Sequence, residues 1–238
     1  MQVTPYNTDQ SKKTQVEDMF DNIAPKYDLL NHVLSMKIDV LWRNNLVKWM
    51  RKDHPKLVLD VATGTGDLAI AVQKGLEAEV VGLDLSQQML NVGIDKIKKI
   101  NLSDKITMVK GDAENLTFED NKFDAVSVAF GVRNFENLEK GLAELRRVVK
   151  ENSSVYILEF SKVEGFLAPF YMFYFKNILP QIGKLVSKDN RAYTYLPDSV
   201  NAFPFGEKMK QILLDTGYSK VEYKKLSLGI ATIYKATK

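Results

Sequence analysis

A chain of 238 residues with 45% hydrophobic and 26% charged side chains is the size and make-up of one soluble globular domain with a substantial core. Lys and Arg total 33 against 30 Asp and Glu, a formal charge of +3, too balanced to argue for nucleic acid. The absence of cysteine excludes disulfides, thiolate metal ligands and a cysteine nucleophile, and the polar start Met1-Gln2-Val3-Thr4-Pro5 lacks the apolar stretch of a signal peptide, so a cytoplasmic protein is expected.

Residues 14–50 carry apolar side chains at helical spacing (Val16, Met19, Phe20, Ile23), with a break at Pro25. A second run from Tyr27 to Leu34 leads to Val40-Leu41-Trp42-Arg43. No strand period appears, so residues 1–55 read as an N-terminal helical cover on the rest of the chain. His32, with no second histidine nearby, reads as a helix residue rather than an acid or base.

From Lys56 onward, short apolar runs alternate with helical patterns. Strands are predicted at 57–61, 79–83, 106–110, 125–130 and 155–159, and helices at 67–75, 87–100 and 138–150. Such alternation implies βαβ units and a mostly parallel sheet with helices on both faces. Two further strand-like runs, 221–227 and 230–236, are joined by the short Leu228-Gly229 link, which suits an antiparallel closing hairpin. Residues 165–186 are crowded with aromatics (Phe166, Phe170, Tyr171, Phe173, Tyr174, Phe175), interrupted by Lys176, Pro180 and Lys184. The run falls short of the ~18–20 apolar residues that span a bilayer. It is either a core helix or an apolar cover over a pocket. Residues 165–205 are accordingly expected to form a substrate-side insertion within a single domain, 1–238.

The stretch that carries chemistry is Leu57-Val58-Leu59-Asp60-Val61-Ala62-Thr63-Gly64-Thr65-Gly66-Asp67, a buried strand running into a glycine-hinged loop and then a helix. Gly64 to Ala69 satisfies G-x-G-x-x-A, and Asp84 follows about twenty residues on at the end of the second strand, as in dinucleotide sites. Asp67 argues against that ligand. A pyrophosphate would sit on the helix start beside this carboxylate, and like charges ~4 Å apart cost roughly 4 kcal/mol at an effective dielectric of 20. A plain helix cap is the other reading of Asp67. With Asp60 upstream, the loop (Gly64, Thr65, Gly66) suits an ammonium, and a cofactor with ribose, adenine and a cationic amino-acid end is S-adenosylmethionine. Asp84 would take both ribose hydroxyls, and Asp112, with the backbone of Ala113 beside it, the adenine amino group. A turn residue is the alternative for Asp112.

The loop Asp60–Asp67, Gly82-Leu-Asp-Leu-Ser86 and Gly111-Asp-Ala-Glu114 resemble class I methyltransferases. Further segments are similar to the quinone-biosynthesis C-methyltransferases, which methylate demethylmenaquinol or its ubiquinone-pathway counterpart. These are Met19-Phe-Asp-Asn-Ile-Ala-Pro-Lys-Tyr-Asp-Leu-Leu-Asn31, Phe130-Gly-Val-Arg-Asn134, Leu158-Glu-Phe-Ser161 and Tyr193-Thr-Tyr-Leu-Pro-Asp-Ser-Val-Asn-Ala-Phe-Pro204. Thr63 stands where that family usually has glycine, which the turn accommodates if its φ is negative.

The resemblance implies the class I methyltransferase fold, with a Rossmann-like, seven-stranded sheet, and a prenylated quinol as acceptor. The lipid-soluble acceptor implies transient contact with a membrane surface, although nothing in the sequence is an anchor. Arg133 would stabilise developing phenolate charge, Asn134 would help place it, Tyr195 would hydrogen-bond the ring, and Tyr27 with Asp28 would close over the cofactor. A surface salt bridge is the alternative for Arg133, and plain packing for Tyr195. The competing classes are a nicotinamide oxidoreductase and a binding module without methyl transfer.

Overall fold

In this computed structural model the described residues are 3–6, 8–29, 35, 37–163 and 191–238, with side chains from Tyr195 onward in the last stretch. His32 and the aromatic run 165–186 lie outside them. The apolar runs become β1 (Leu57–Val61), β2 (Glu79–Asp84), β3 (Ile106–Lys110), β4 (Phe123–Ala129) and β5 (Val149–Phe160), and the last two runs become β6 (Lys220–Leu226) and β7 (Ala231–Thr237). All seven form one sheet in the order β3-β2-β1-β4-β5-β7-β6. The first five pair in parallel, and β7 lies antiparallel between β5 and β6, which closes the sheet with the expected hairpin.

The helices are α1 (Lys12–Ile23), α2 (Ile38–Met50), α3 (Asp67–Leu76), α4 (Gln87–Lys99), α5 (Leu138–Val148), α6 (Arg191–Ala202) and α7 (Glu207–Asp215). One larger departure from the sequence pattern is β5, which begins at Val149 rather than near 155. The chain turns extended directly at the end of α5, Val149 pairs with Phe123, and a register shift then brings Ser154 opposite Ala125. Asn152, in a left-handed conformation (φ 61), marks the irregularity.

Side chains alternate across the strands, so the sheet has two apolar faces. Val58, Val80, Ala125 and Tyr156 pack under α2, α3 and α4 through Leu46, Met50, Val72 and Ile97. Leu59, Val61, Val126 and Val128 pack under α5 and α7 through Leu142, Leu145, Met209 and Leu213. Strand order reverses on either side of β1, which pairs with both β2 and β4, and this leaves a crevice at the carboxyl ends. A smaller apolar cluster, in which Met19 and Ile23 of α1 meet Met89 and Tyr195, sits over that crevice.

Candidate active site

The chain leaves β1 through a loop in which Ala62, Gly64 and Gly66 take left-handed conformations (φ 52, 57 and 81). Thr63 does not, so the threonine in place of glycine carries no strain; the unfavourable conformation falls on Ala62 instead. The loop is fastened on both sides. The Thr63 amide donates to the Leu83 carbonyl at 3.0 Å, and the Thr63 hydroxyl donates to Asp60 Oδ2 at 2.6 Å. Ser127, opposite Asp60 in the β1–β4 register, donates to Asp60 Oδ1 at 2.8 Å. Burial pushes the Asp60 carboxyl up to about 6, against the pull of these hydroxyls.

Asp84, at the end of β2, accepts from the Gly64 amide at 2.7 Å and the Ser86 amide at 2.9 Å. Desolvation outweighs these bonds and raises it to about 6. Asp84, Gly64, Asp112, Ala113, Asn134 and Tyr27 line one open cleft at the carboxyl ends of the strands. A smaller cleft adjoins it, lined by Asp60, Thr65, Arg43 and Asp67, with Tyr27 and Gly64 shared. Tyr27 stands over Gly64: a Cβ built there would meet Tyr27 Cε1 at 3.8 Å in a left-handed conformation. Gly66 lines neither cleft and acts as the hinge that starts α3.

Helix α1 is tied across the strand ends by a row of polar contacts that the sequence pattern did not announce. Lys13 pairs with Asp112 at 2.6 Å and Glu17 with Lys110 at 2.8 Å. Asp21 accepts from the Ser86 hydroxyl, and Lys12 donates to the carbonyls of Arg133 and Phe135, both at 2.9 Å. Burial and then the nearby Arg133 charge lower Lys12 to about 8. Positions 13, 17 and 21, spaced i, i+4 and i+8, share one side of a helix, a spacing that could have drawn attention to them.

Asp67 differs from its expected part. Its carboxylate is paired within the protein, with Lys96 at 2.7 Å and Arg43 at 3.1 Å. Lys96 also holds Asp28 at 2.6 Å, and Asp28 accepts from the Thr65 hydroxyl at 2.5 Å. The loop is therefore less anionic than its sequence suggests, and the case against a phosphate ligand cannot rest on Asp67.

Arg133 is largely covered and pairs with a buried carboxylate, not with a surface one. Its Nη1 donates to Glu159 Oε1 at 2.9 Å and to the Phe130 carbonyl, its amide donates to Glu159 Oε2 at 3.3 Å, and its guanidinium lies over Phe160. Glu159, not singled out from the sequence despite its place in the Leu158–Ser161 segment, is fully buried, and desolvation raises its carboxyl despite the arginine. Arg133 Nε is the one buried side-chain polar atom without a partner among the described residues. Arg133 and Tyr195 line neither cleft. The Tyr195 hydroxyl donates to Asn134 Oδ1 at 3.1 Å, so what the structure shows it touching is Asn134.

A family model described as the ubiE/COQ5 methyltransferase family matches residues 8–238. A demethylmenaquinone methyltransferase of Bacteroides fragilis is 48% identical over 238 residues, covering 99% of this chain and 97% of the relative. A ubiquinone/menaquinone biosynthesis C-methyltransferase UbiE of Geobacter sulfurreducens is 43% identical, covering 95% and 90%. Among solved structures, a SAM-dependent methyltransferase of Thermotoga maritima has a TM-score of 0.65 at 16% identity, covering 93% of this chain and 99% of that one. The [4+2]-cyclase SpnF has a TM-score of 0.70 at 16% identity, covering 95% and 96%. The name of the second carries a different reaction, so these likenesses show the fold alone.

Proposed function

The chain belongs to the ubiE/COQ5 methyltransferase family, and from that premise we propose that it transfers the methyl group of S-adenosylmethionine to a ring carbon of a prenylated demethylmenaquinol. The observation that carries the substrate is the 48% identity, over nearly the whole of both chains, to a relative named for that reaction. The strand-end acids support the cofactor: Asp84 and Asp112 face one cleft, beside a glycine over which Tyr27 stands. Asp84 would take the ribose hydroxyls. Asp112 would take the adenine amino group in exchange for part of its bond to Lys13. The amino-acid end would lie in the smaller cleft, its ammonium toward Asp60 and the loop backbone, its carboxylate toward Arg43. Thr65 and Gly66 serve by fixing the loop.

The bound cofactor would supply a sulfonium methyl: the S–C electron pair would stay with sulfur, the ring carbon would form the new C–C bond, and the proton on that carbon would then leave to water as the ring regains aromaticity. The protein's task is then alignment, exclusion of water and stabilisation of charge on the ring hydroxyl. Tyr27 and α1 cover the cleft. Asn134, oriented by Tyr195 and by the grip of Lys12 on the carbonyls either side of it, positions the acceptor. Arg133, held by Glu159, would offer its Nε–H to the oxygen that becomes phenolate-like, which requires the acceptor ring to reach past Asn134, beyond the cleft lining. A buried donor left unpaired costs ~1–3 kcal/mol, a cost that a substrate oxygen would remove.

Residues 165–205 are proposed as the substrate-side part of a single domain, over which the prenyl tail lies, and contact with a membrane surface follows from that tail. Among the described residues, no helix is long and apolar enough to cross a membrane. The name of the Geobacter relative favours a second acceptor, a ubiquinone-pathway benzoquinol. Incubation with methyl-labelled S-adenosylmethionine and each reduced quinone separates the readings: label in menaquinone supports the proposal, label in the benzoquinone adds the second acceptor, and label in neither refutes both.

A further inference from the structure

We propose that the turn between β6 and β7, together with the first turn of α2, is a docking surface for an anionic lipid membrane. The inference rests on the quinol reading, because only a lipid-soluble acceptor calls for such a surface. Three large apolar side chains stand out to solvent here: Leu228 at 78% exposure, Leu41 at 60% and Val40 at 36%. The two segments are neighbours, since the Trp42 indole N–H donates to the Ser227 hydroxyl at 2.8 Å.

Leu228 is doubly unfavourable as an ordinary surface residue. It is exposed, and it holds a left-handed conformation (φ 57, ψ 25) directly after Ser227, itself at φ 46. A leucine gains nothing from that backbone, where glycine or asparagine would fit with less strain. Its placement there is explained if the side chain enters an apolar phase.

Charge selects the partner. The exposed ionisable residues at the two segments, Lys37, Lys224 and Lys225, are all basic, and the one acid, Asp39, is buried against Arg43. Lys37 lies one turn before Leu41, and the stem of Lys225 runs 3.9 Å from the Cβ position of Gly229. Apolar tips ringed by lysines suit an anionic leaflet. The surface is also continuous with the site. Trp42 packs on Phe160 and Phe130 at 6.0 Å between ring centres, those two rings pack at 4.6 Å, and the Arg133 guanidinium lies 5.5 Å from the Phe160 ring. An apolar seam thus leads from the proposed ring site to the exposed leucines, the direction in which a prenyl tail would meet lipid.

The test compares the full chain with Leu41→Ser/Leu228→Asn, using phosphatidylcholine vesicles with and without phosphatidylglycerol. Both positions are on the surface and asparagine accepts the left-handed backbone, so the variant should melt no lower than the wild type. The wild type is expected to bind the phosphatidylglycerol vesicles, with the variant partitioning roughly tenfold to a hundredfold more weakly, as loss of one or two buried leucines requires. Methyl transfer to a short-tailed, water-soluble demethylmenaquinol should be equal in the two. Equal vesicle binding by both proteins, or none by the wild type, overturns the surface. A wild type that sediments as a dimer and a variant that does not would assign the leucines to a second copy, and also overturns it. Failure of the wild type on the soluble quinol would instead overturn the enzymatic reading, and vesicle binding would still decide the surface.

Discussion

Arg133→Lys separates stabilisation of charge from mere packing. In the structure Glu159 accepts from Arg133 Nη1, from the Arg133 amide and from the Phe160 amide at 2.9 Å, so a lysine ammonium can keep the buried carboxylate paired. What the substitution removes is the bond to the Phe130 carbonyl and the Nε–H. The first is an ordinary loss of ~1 kcal/mol of stability, small enough for the fold to survive. The second is a donor that the proposal aims at charge developing on the ring oxygen. Donors of that kind contribute ~2.7–4 kcal/mol to the transition state, roughly a hundredfold to a thousandfold in turnover. Because Arg133 lines neither cleft, cofactor affinity should stay within about twofold. Single-turnover methyl transfer at saturating cofactor, with calorimetric titration of S-adenosylmethionine, reads both quantities. A rate within about threefold of the wild type would refute the role, since no smaller effect is consistent with a donor acting in the transition state. A loss that appeared wholly in cofactor affinity would refute it equally. Truncation to methionine is a poorer test, for it leaves Glu159 buried without its cation, which costs ~3–5 kcal/mol of folding stability by itself.

Asp84→Ala should weaken S-adenosylmethionine by ~1.5–3 kcal/mol, about tenfold to a hundredfold in Kd by calorimetry, since a charge-assisted acceptor for the ribose is lost; unchanged affinity would remove the assignment. The affinity of the wild type should also depend on pH. The cofactor complex favours the ionised Asp84, whose carboxyl is pushed up to about 6, so binding takes place with proton release below that value. Affinity should therefore fall as pH drops through about 6 and be flat above it, and the dependence should be shallower in Asp84→Ala, where only Asp60, also raised to about 6, remains to titrate against the ligand. Lys12→Met keeps the buried stem but removes both bonds to the carbonyls flanking Asn134, and should lower turnover with a smaller effect on cofactor Kd. Equal kinetics would show that α1 only shields the cleft.

The fold was legible because its strands are short, apolar on both faces and regularly spaced by helical patterns, features that depend only on neighbours along the chain. Where local pattern failed, a pairing partner decided. Nothing in Lys150-Glu151-Asn152-Ser153 reads as strand, yet the chain there is extended between two paired residues, Val149 opposite Phe123 and Ser154 opposite Ala125 and Thr237. The acids at the ends of β1, β2 and β3 were legible for the same local reason, since a parallel strand delivers its last residue to the crevice. The partners of those acids were not. Lys13 lies ninety-nine positions from Asp112, and Glu159 lies twenty-six from Arg133. Only the folded sheet makes neighbours of them. Arg133 shows the same limit: its residue type and motif pointed to function, but whether it faced water or a buried carboxylate was a property of β5, not of its own segment.

The glycine loop illustrates how charge read from sequence can mislead about a ligand. Asp60, Asp67, Asp84 and Asp28 all lie on or beside it, and taken as bare charges they demand a cation. In the folded chain Lys96 pairs with Asp67 and Asp28 and Arg43 with Asp67 and Asp39, while burial raises Asp60 and Asp84 to about 6. The potential at the loop is thus partly balanced within the protein, and the smaller cleft is lined by an arginine as well as acids. A zwitterionic ligand end, bearing one ammonium and one carboxylate, answers that balance better than a cation alone or a doubly charged pyrophosphate. Selection between cofactors therefore comes from which groups remain exposed to the cleft after the internal pairs are made, and a count of acids in the motif cannot supply it.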